Sequence, residues 1–96
     1  MQYFHRTQLS PDAVVAAAAE YFGAHLTPAD ESPRRRAFKG ALGGVTVTVR
    51  AEGGHYTLVT VATDQPGESE LDRLAKRFLG EVHRAADPAH SLRGAY

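Results

Sequence analysis

The sequence predicts a small α+β domain with the order β-α-β-β-β-α, in which a curved antiparallel sheet of about four strands packs two helices on one face. Two runs rich in alternating valine and threonine, 45–50 and 56–63, flank a glycine pair and are typical of a β-hairpin. One segment with apolar residues at helical spacing precedes this hairpin, and another follows it.

The N-terminal third predicts a strand and then a helix. Residues 3–7 are short, aromatic and alternating, which suits a first strand. Ser10 is a good helix cap, Pro11 fits the first helical position, and Asp12 suits the positive helix end. The apolar stripe of this helix is Val14, Ala17, Ala18, Tyr21 and Phe22.

The central segment predicts a meander of three strands. Residues 29–33 have the composition of a loop, 34–41 resume an extended pattern, and 42–44 form a glycine turn before the hairpin. The first strand must join this meander, beside either the 34–41 strand or the 56–63 strand. The sequence leaves that choice open.

The C-terminal third predicts a second helix. Ser69 and Asp72 have the spacing of a capping box, and the apolar stripe continues through Leu71, Leu74, Ala75, Phe78, Val82 and Ala85. The helix is expected to end near Asp87, because the residue before a proline disfavours helical geometry. Residues 1–87 are thus predicted to form one domain, and 88–96 a tail that docks in cis or on a neighbouring chain.

Composition narrows the functional class. Without cysteine the chain has no disulfide, thiolate metal ligand or cysteine nucleophile. Eleven basic residues balance eleven acidic ones, which counts against nucleic-acid binding because phosphate contacts need a basic excess. No apolar run approaches the roughly 20 residues of a membrane span. We expect a soluble, cytoplasmic chain without membrane contact.

Residues that carry chemistry are scattered along the sequence. The histidines fall on five different predicted segments and form no ligand pair: His5, His25, His55, His83 and His90. The serines occupy helix caps, a loop and the tail, and no Gly-x-Ser-x-Gly elbow is present. The sequence therefore predicts a protein that is not an enzyme and that uses no metal or cofactor.

The most visible charge feature is a basic stretch at the start of the 34–41 strand. Its members are Arg34, Arg35, Arg36 and Lys39. A functional interpretation is an anion or nucleic-acid contact. The favoured interpretation is a solvated strand whose charges discourage aggregation, because Asp30 and Glu31 lie just upstream.

The hairpin allows two registers. A two-residue glycine loop pairs Val49 with Leu58, whereas a three-residue loop over 52–54 with a glycine bulge pairs Val49 with Thr57. We favour the second because it groups the valines of both strands into one apolar core. The residues left outward are Thr46, Thr48, Arg50, Tyr56, Leu58 and Thr60.

These outward residues form the candidate partner face. Two helices cover one side of a sheet, yet the 56–63 strand is apolar on both sides, so something else is expected to cover the other side. We therefore expect a binding or scaffolding domain that forms a homodimer through the open face or edge of its sheet, with another protein as a further possible partner. One alternative is a small apolar ligand between the curved sheet and the last helix. A second is weak nucleic-acid or anion binding through the basic stretch.

Overall fold

The structure is a computed structural model that describes residues 1–86. Seven elements follow in chain order: β1 Gln2–Thr7, α1 Pro11–Gly23, β2 Thr27–Ser32, β3 Arg35–Gly40, β4 Gly43–Glu52, β5 Tyr56–Thr63 and α2 Glu70–Ala86. The strands form one sheet in the order β1-β5-β4-β3-β2, and every neighbouring pair is antiparallel. The predicted α+β class is confirmed, with five strands instead of about four. The predicted tail lies outside the described residues.

The additional strand is β2, which occupies the segment predicted as a loop. The prediction of a loop was wrong for residues 29–32. It rested on composition, because β2 contains a proline and two acidic residues, which are types that strands usually avoid. An edge position explains the tolerance, because only one side of β2 must bond to the sheet. The register also shifts between Pro28 and Asp30, which is a bulge typical of edges.

The first strand lies beside β5, so β1 and β2 are the two edges of the sheet. β1 pairs with β5 over its whole length, from Gln2 opposite Ala62 to Thr7 opposite Thr57, without a register shift. The sequence had left the position of β1 open.

The turn before β4 is Ala41-Leu42, earlier than predicted, because Gly43 already pairs with Gly40.

Both helices begin where their capping residues predict. The Ser10 hydroxyl accepts a hydrogen bond from the Ala13 backbone N–H at 3.1 Å, and Pro11 is the first residue of α1. The Ser69 hydroxyl likewise accepts one from the Asp72 N–H at 3.1 Å. These contacts satisfy amides that the first turn of a helix leaves without partners.

The core lies between the sheet and the two helices. It is built from buried valines of β4 and β5 and from a cluster of three aromatic rings. The ring of Phe22 lies 5.6 Å from that of Phe38 and 5.2 Å from that of Phe78, measured between centroids. Since each phenylalanine belongs to a different element, this cluster joins α1, β3 and α2.

The hairpin register differs from both predicted alternatives. Its loop is Gly53-Gly54-His55, and Val49 lies opposite Val59. Gly54 and His55 both have positive φ angles, 77° and 67°, so the bend extends one residue beyond the glycine pair. The valines nevertheless share the buried face, because this register differs from the favoured one by two residues.

No helix within residues 1–86 is long and apolar enough to cross a membrane.

Candidate interaction surface

The sheet face opposite the helices has no covering element among the described residues. The buried valines of β4 and β5 point to the helices, so alternate residues of the same strands point away from them. The six residues of the candidate partner face all lie on this open side: Thr46, Thr48, Arg50, Tyr56, Leu58 and Thr60. Their role in binding a partner stays a prediction.

Phe4 is an exposed aromatic residue of this surface that the sequence analysis missed. Its side chain is 61% exposed and lies opposite Thr60, while Thr60 lies opposite Thr48 on the next strand. Tyr56 is 43% exposed at one end of the face. The signal was the alternation within β1, since Tyr3 and Phe4 are adjacent and must therefore face opposite sides of the sheet.

One end of the open face carries a small charge network. The Arg6 guanidinium donates to the Glu52 carboxylate at 2.8 Å, and that of Arg50 donates to the same group at 3.3 Å. The hydrogen bond from Arg6, with a smaller one from Arg50, holds the pKa of Glu52 below its usual value despite some desolvation. This network lies at the end of the face where Glu52 and Tyr56 are opposite each other.

The opposite end of the face carries Asp64 and Lys39. The Asp64 carboxylate accepts hydrogen bonds from the side chain of Gln65 at 2.9 Å and from the backbone N–H of Gly44 at 2.8 Å. These bonds, with a smaller effect from the charge of Lys39, hold the pKa of Asp64 below its usual value. Asp64 thus fixes the corner where β4 begins, and it stays ionised at neutral pH.

The predicted anion patch is divided between the two sides of the sheet. Phe38 points into the core, so Arg36 lies on the helix side of β3, whereas Arg35 and Lys39 lie on the open side. Arg34 precedes the strand. The four cations therefore do not share one surface.

Each arginine of the patch also has a partner within the chain. The pairs are Arg34 with the Asp12 carboxylate at 2.7 Å, Arg35 with the Asp30 carboxylate, and Arg36 with the backbone carbonyl of Ser32. An incoming phosphate would have to compete with these contacts. The contacts of Arg34 and Arg35 are exposed ion pairs, which contribute little to stability.

Two histidines that the sequence places far apart lie together in the structure. The rings of His5 on β1 and His83 on α2 are 5.8 Å apart in an edge-on arrangement. Burial, and to a lesser degree the charge of His83, lowers the pKa of His5. The two histidines lie on different segments, as the sequence indicates, and their contact was not predicted. Within residues 1–86, however, no group of three or more histidine, aspartate or glutamate side chains could hold a metal ion.

An apolar groove lies between the two helices. Its volume is about 310 Å³, and it is lined by Leu9, Ala17, Tyr21, Phe78, Val82 and Ala85, with Glu20 and Glu81 at the rim. The Tyr21 hydroxyl donates to the Leu74 carbonyl at 3.0 Å and joins the helices beside it. The groove lies between the helices, whereas the sequence analysis placed a ligand between the sheet and the last helix.

No protein-family model, curated protein or solved structure matches the chain.

Proposed function

We propose that the chain is a small non-enzymatic binding or scaffolding domain of the cytoplasm, and that it associates with a second copy of itself through its sheet. One observation carries the proposal: both helices lie on one side of a five-stranded sheet, and the other side exposes Phe4 and Tyr56 beside the partly buried Leu58. Aromatic residues such as these are enriched in interfaces between proteins relative to the rest of the surface.

Phe4 alone is large enough to contribute to association. Burying a phenylalanine completely is worth about 1.5 to 3 kcal/mol, so removing the exposed part of Phe4 from water contributes about 1 to 2 kcal/mol in each copy. Arg6, Arg50 and Glu52 bond to one another at one end of this surface, so they need no charge from a partner. A second copy is the simplest partner because one surface then serves both sides of the interface.

Light scattering of the native chain at micromolar concentration tests this proposal. We expect a mass of twice the 10.4 kDa of one chain. A mass of one chain throughout that range would contradict self-association. The salt dependence of the mass is a second measurement, because an interface built on aromatic side chains should persist in high salt.

The groove between the helices favours a second candidate function, the binding of a small apolar compound. Its volume lies at the lower end of the range of ligand pockets, and its lining is predominantly apolar. A thermal-shift screen against small apolar compounds tests it, with Ala17→Leu as a variant that fills the groove. The absence of any shift, or a shift that Ala17→Leu leaves unchanged, would count against this function.

A further inference from the structure

The two edges of the sheet differ in their protection against pairing with another strand. β2 contains a proline, a bulge and the exposed acids Asp30 and Glu31, which are all features that discourage edge pairing. β1 has no glycine or proline, and it follows β5 regularly over six residues. Within the described part of the chain, β1 is therefore the edge that could accept another strand.

The hydrogen bonds of β1 define which of its groups face outward. The backbone N–H of Thr63 donates to the Met1 carbonyl at 2.8 Å, and the Met1 amine donates to the Thr63 carbonyl at 3.0 Å. Met1 and Thr63 thus form a hydrogen-bonded pair. Along two antiparallel strands, hydrogen-bonded pairs alternate with non-hydrogen-bonded pairs, whose backbone groups point away from each other. The backbone groups that point away from β5 therefore belong to Gln2, Phe4 and Arg6.

We infer that β1 is the edge through which two copies of this chain pair, antiparallel to each other about a twofold axis at Phe4. The inference rests on the proposed self-association and assigns it to one strand and one register. The sheets of the two copies become one continuous sheet of ten strands, with all four helices on the same side.

The register follows from the positions of the outward groups. With Phe4 opposite Phe4 of the second copy, Gln2 of each copy lies opposite Arg6 of the other. Each of these pairs then exchanges two backbone hydrogen bonds. If the register shifts by two residues, one residue whose backbone groups point away from β5 has no partner in the second copy. If it shifts by one, residues whose backbone groups point away from β5 lie opposite residues whose groups already bond to β5. A single register thus satisfies all the outward groups.

The charges at the two ends of β1 are mixed and do not set the arrangement. Arg6 carries a positive charge at one end of β1. The other end lies beside the 64–68 loop, where a Cβ added to Gly67 would lie 3.3 Å from the Met1 side chain, and the exposed acid Glu68 follows directly. Antiparallel pairing brings Arg6 of one copy to the end of the other that carries both the Glu68 carboxylate and the Met1 ammonium group, so the attraction and the repulsion offset each other.

The central pair of side chains adds a hydrophobic contact. Phe4 points to the open face, so the two Phe4 rings lie side by side across the twofold axis. Aromatic residues directly opposite each other are among the more favourable pairs across antiparallel strands. The exposed fraction of Phe4 in a single copy is consistent with a residue that is covered on pairing.

Disulfide trapping tests the register, because the chain has no cysteine of its own. Two residues that form a hydrogen-bonded pair across antiparallel strands have Cα atoms about 5.5 Å apart. This distance lies within the range that a disulfide bridges. Under mild oxidation we expect Phe4→Cys to form a covalent dimer about tenfold faster than Thr46→Cys, since pairing raises the effective concentration of its thiols. Thr46 is the matched control because it lies on the same face but two strands away from β1.

The outcomes separate this inference from the proposed function. Faster crosslinking of Thr46→Cys in a chain that is dimeric by light scattering would leave self-association standing and overturn pairing through β1. A native chain that is monomeric, with Phe4→Cys no faster than the control, would overturn both and leave the edge to another occupant, such as residues 87–96 of the same chain.

Charge substitution at Phe4 provides a test that needs no oxidation. Phe4 is exposed in a single copy, so Phe4→Lys and Phe4→Glu should both fold, as circular dichroism would show. Each variant alone places like charges at the twofold axis, and we expect it to sediment as a monomer. An equal mixture places opposite charges there and should restore the dimer. Dimers of either variant alone, as stable as those of the native chain, would overturn the inference.

Discussion

The hydroxyl of Tyr3 on β1 donates a hydrogen bond to Oδ1 of Asp72 on α2 across 2.8 Å. Asp72 is 0% exposed, and it also accepts hydrogen bonds from the hydroxyls of Thr63, at 2.9 Å, and Ser69. Burial alone would raise the pKa of Asp72, but these three bonds outweigh it and hold the pKa below its usual value. These hydrogen bonds join the first turn of α2 to β1 and β5. They lie on the side of β1 that faces the helices.

Replacing Asp72 should destabilise the fold more than replacing any one of its donors. Asp72→Ala leaves three hydroxyls without their acceptor and removes part of the helix cap, so we expect a loss of about 3 kcal/mol in the free energy of unfolding. Tyr3→Phe is the matched control and should lose about 1 kcal/mol, because Thr63 and Ser69 still bind Asp72. Urea denaturation measures both, and equal losses would contradict this account of the network.

The same carboxylate should make stability sensitive to acid. A group whose pKa is lowered by folding contributes stability above its unfolded pKa, near 3.8 for aspartate, and that contribution is lost as the pH falls through the lower folded value. We expect the native chain to lose stability below about pH 4. Asp72→Asn should show a smaller loss over that range in urea titrations. Parallel pH profiles for the two proteins would contradict the prediction.

The aromatic cluster should be the most sensitive part of the core. Phe38 is fully buried against Phe22, so Phe38→Ala leaves a cavity and should cost about 3 to 5 kcal/mol. Phe4→Ala makes the same chemical change at an exposed site and should cost less than about 1 kcal/mol in a single copy. Thermal unfolding at one low chain concentration compares the two, and similar costs would mean that Phe38 is not in the core.

Gly43 should be less tolerant of a side chain than Gly53. Gly43 has a φ of 121°, and a Cβ there would lie 2.6 Å from Nε2 of Gln65 and 2.7 Å from Oδ1 of Asp64. We expect Gly43→Ala to cost about 1 to 3 kcal/mol. Gly53→Ala meets no atom within 4 Å and should change stability by less than about 1 kcal/mol. Chemical denaturation of the two variants decides, and equal effects would contradict the turn geometry.

The features that the sequence predicts well are local. Ser10 and Ser69 mark their helices because capping depends on residues within one turn, and the valines of β4 share a face because side chains alternate along a strand. Local patterns therefore suffice for the element types and for the buried side of the hairpin.

Features that depend on the whole sheet could not be predicted in this way. The β2 segment has a loop-like composition and becomes a strand because Arg35 and its neighbours in β3 offer backbone partners. The contact of His5 with His83 and the exposure of Phe4 both follow from the position of β1 beside β5, which the sequence left open. The candidate surface was thus predicted for β4 and β5 but not for β1.

Backbone amide hydrogen exchange of β1 tests pairing through this edge most directly. The backbone N–H of Phe4 points away from β5, whereas that of His5 donates to β5. The exchange protection of Phe4 therefore depends on a second copy of the chain, and that of His5 does not. We predict that Phe4 is protected in concentrated samples and loses this protection on dilution, while His5 stays protected throughout. Unprotected exchange of the Phe4 amide at every chain concentration would contradict the account.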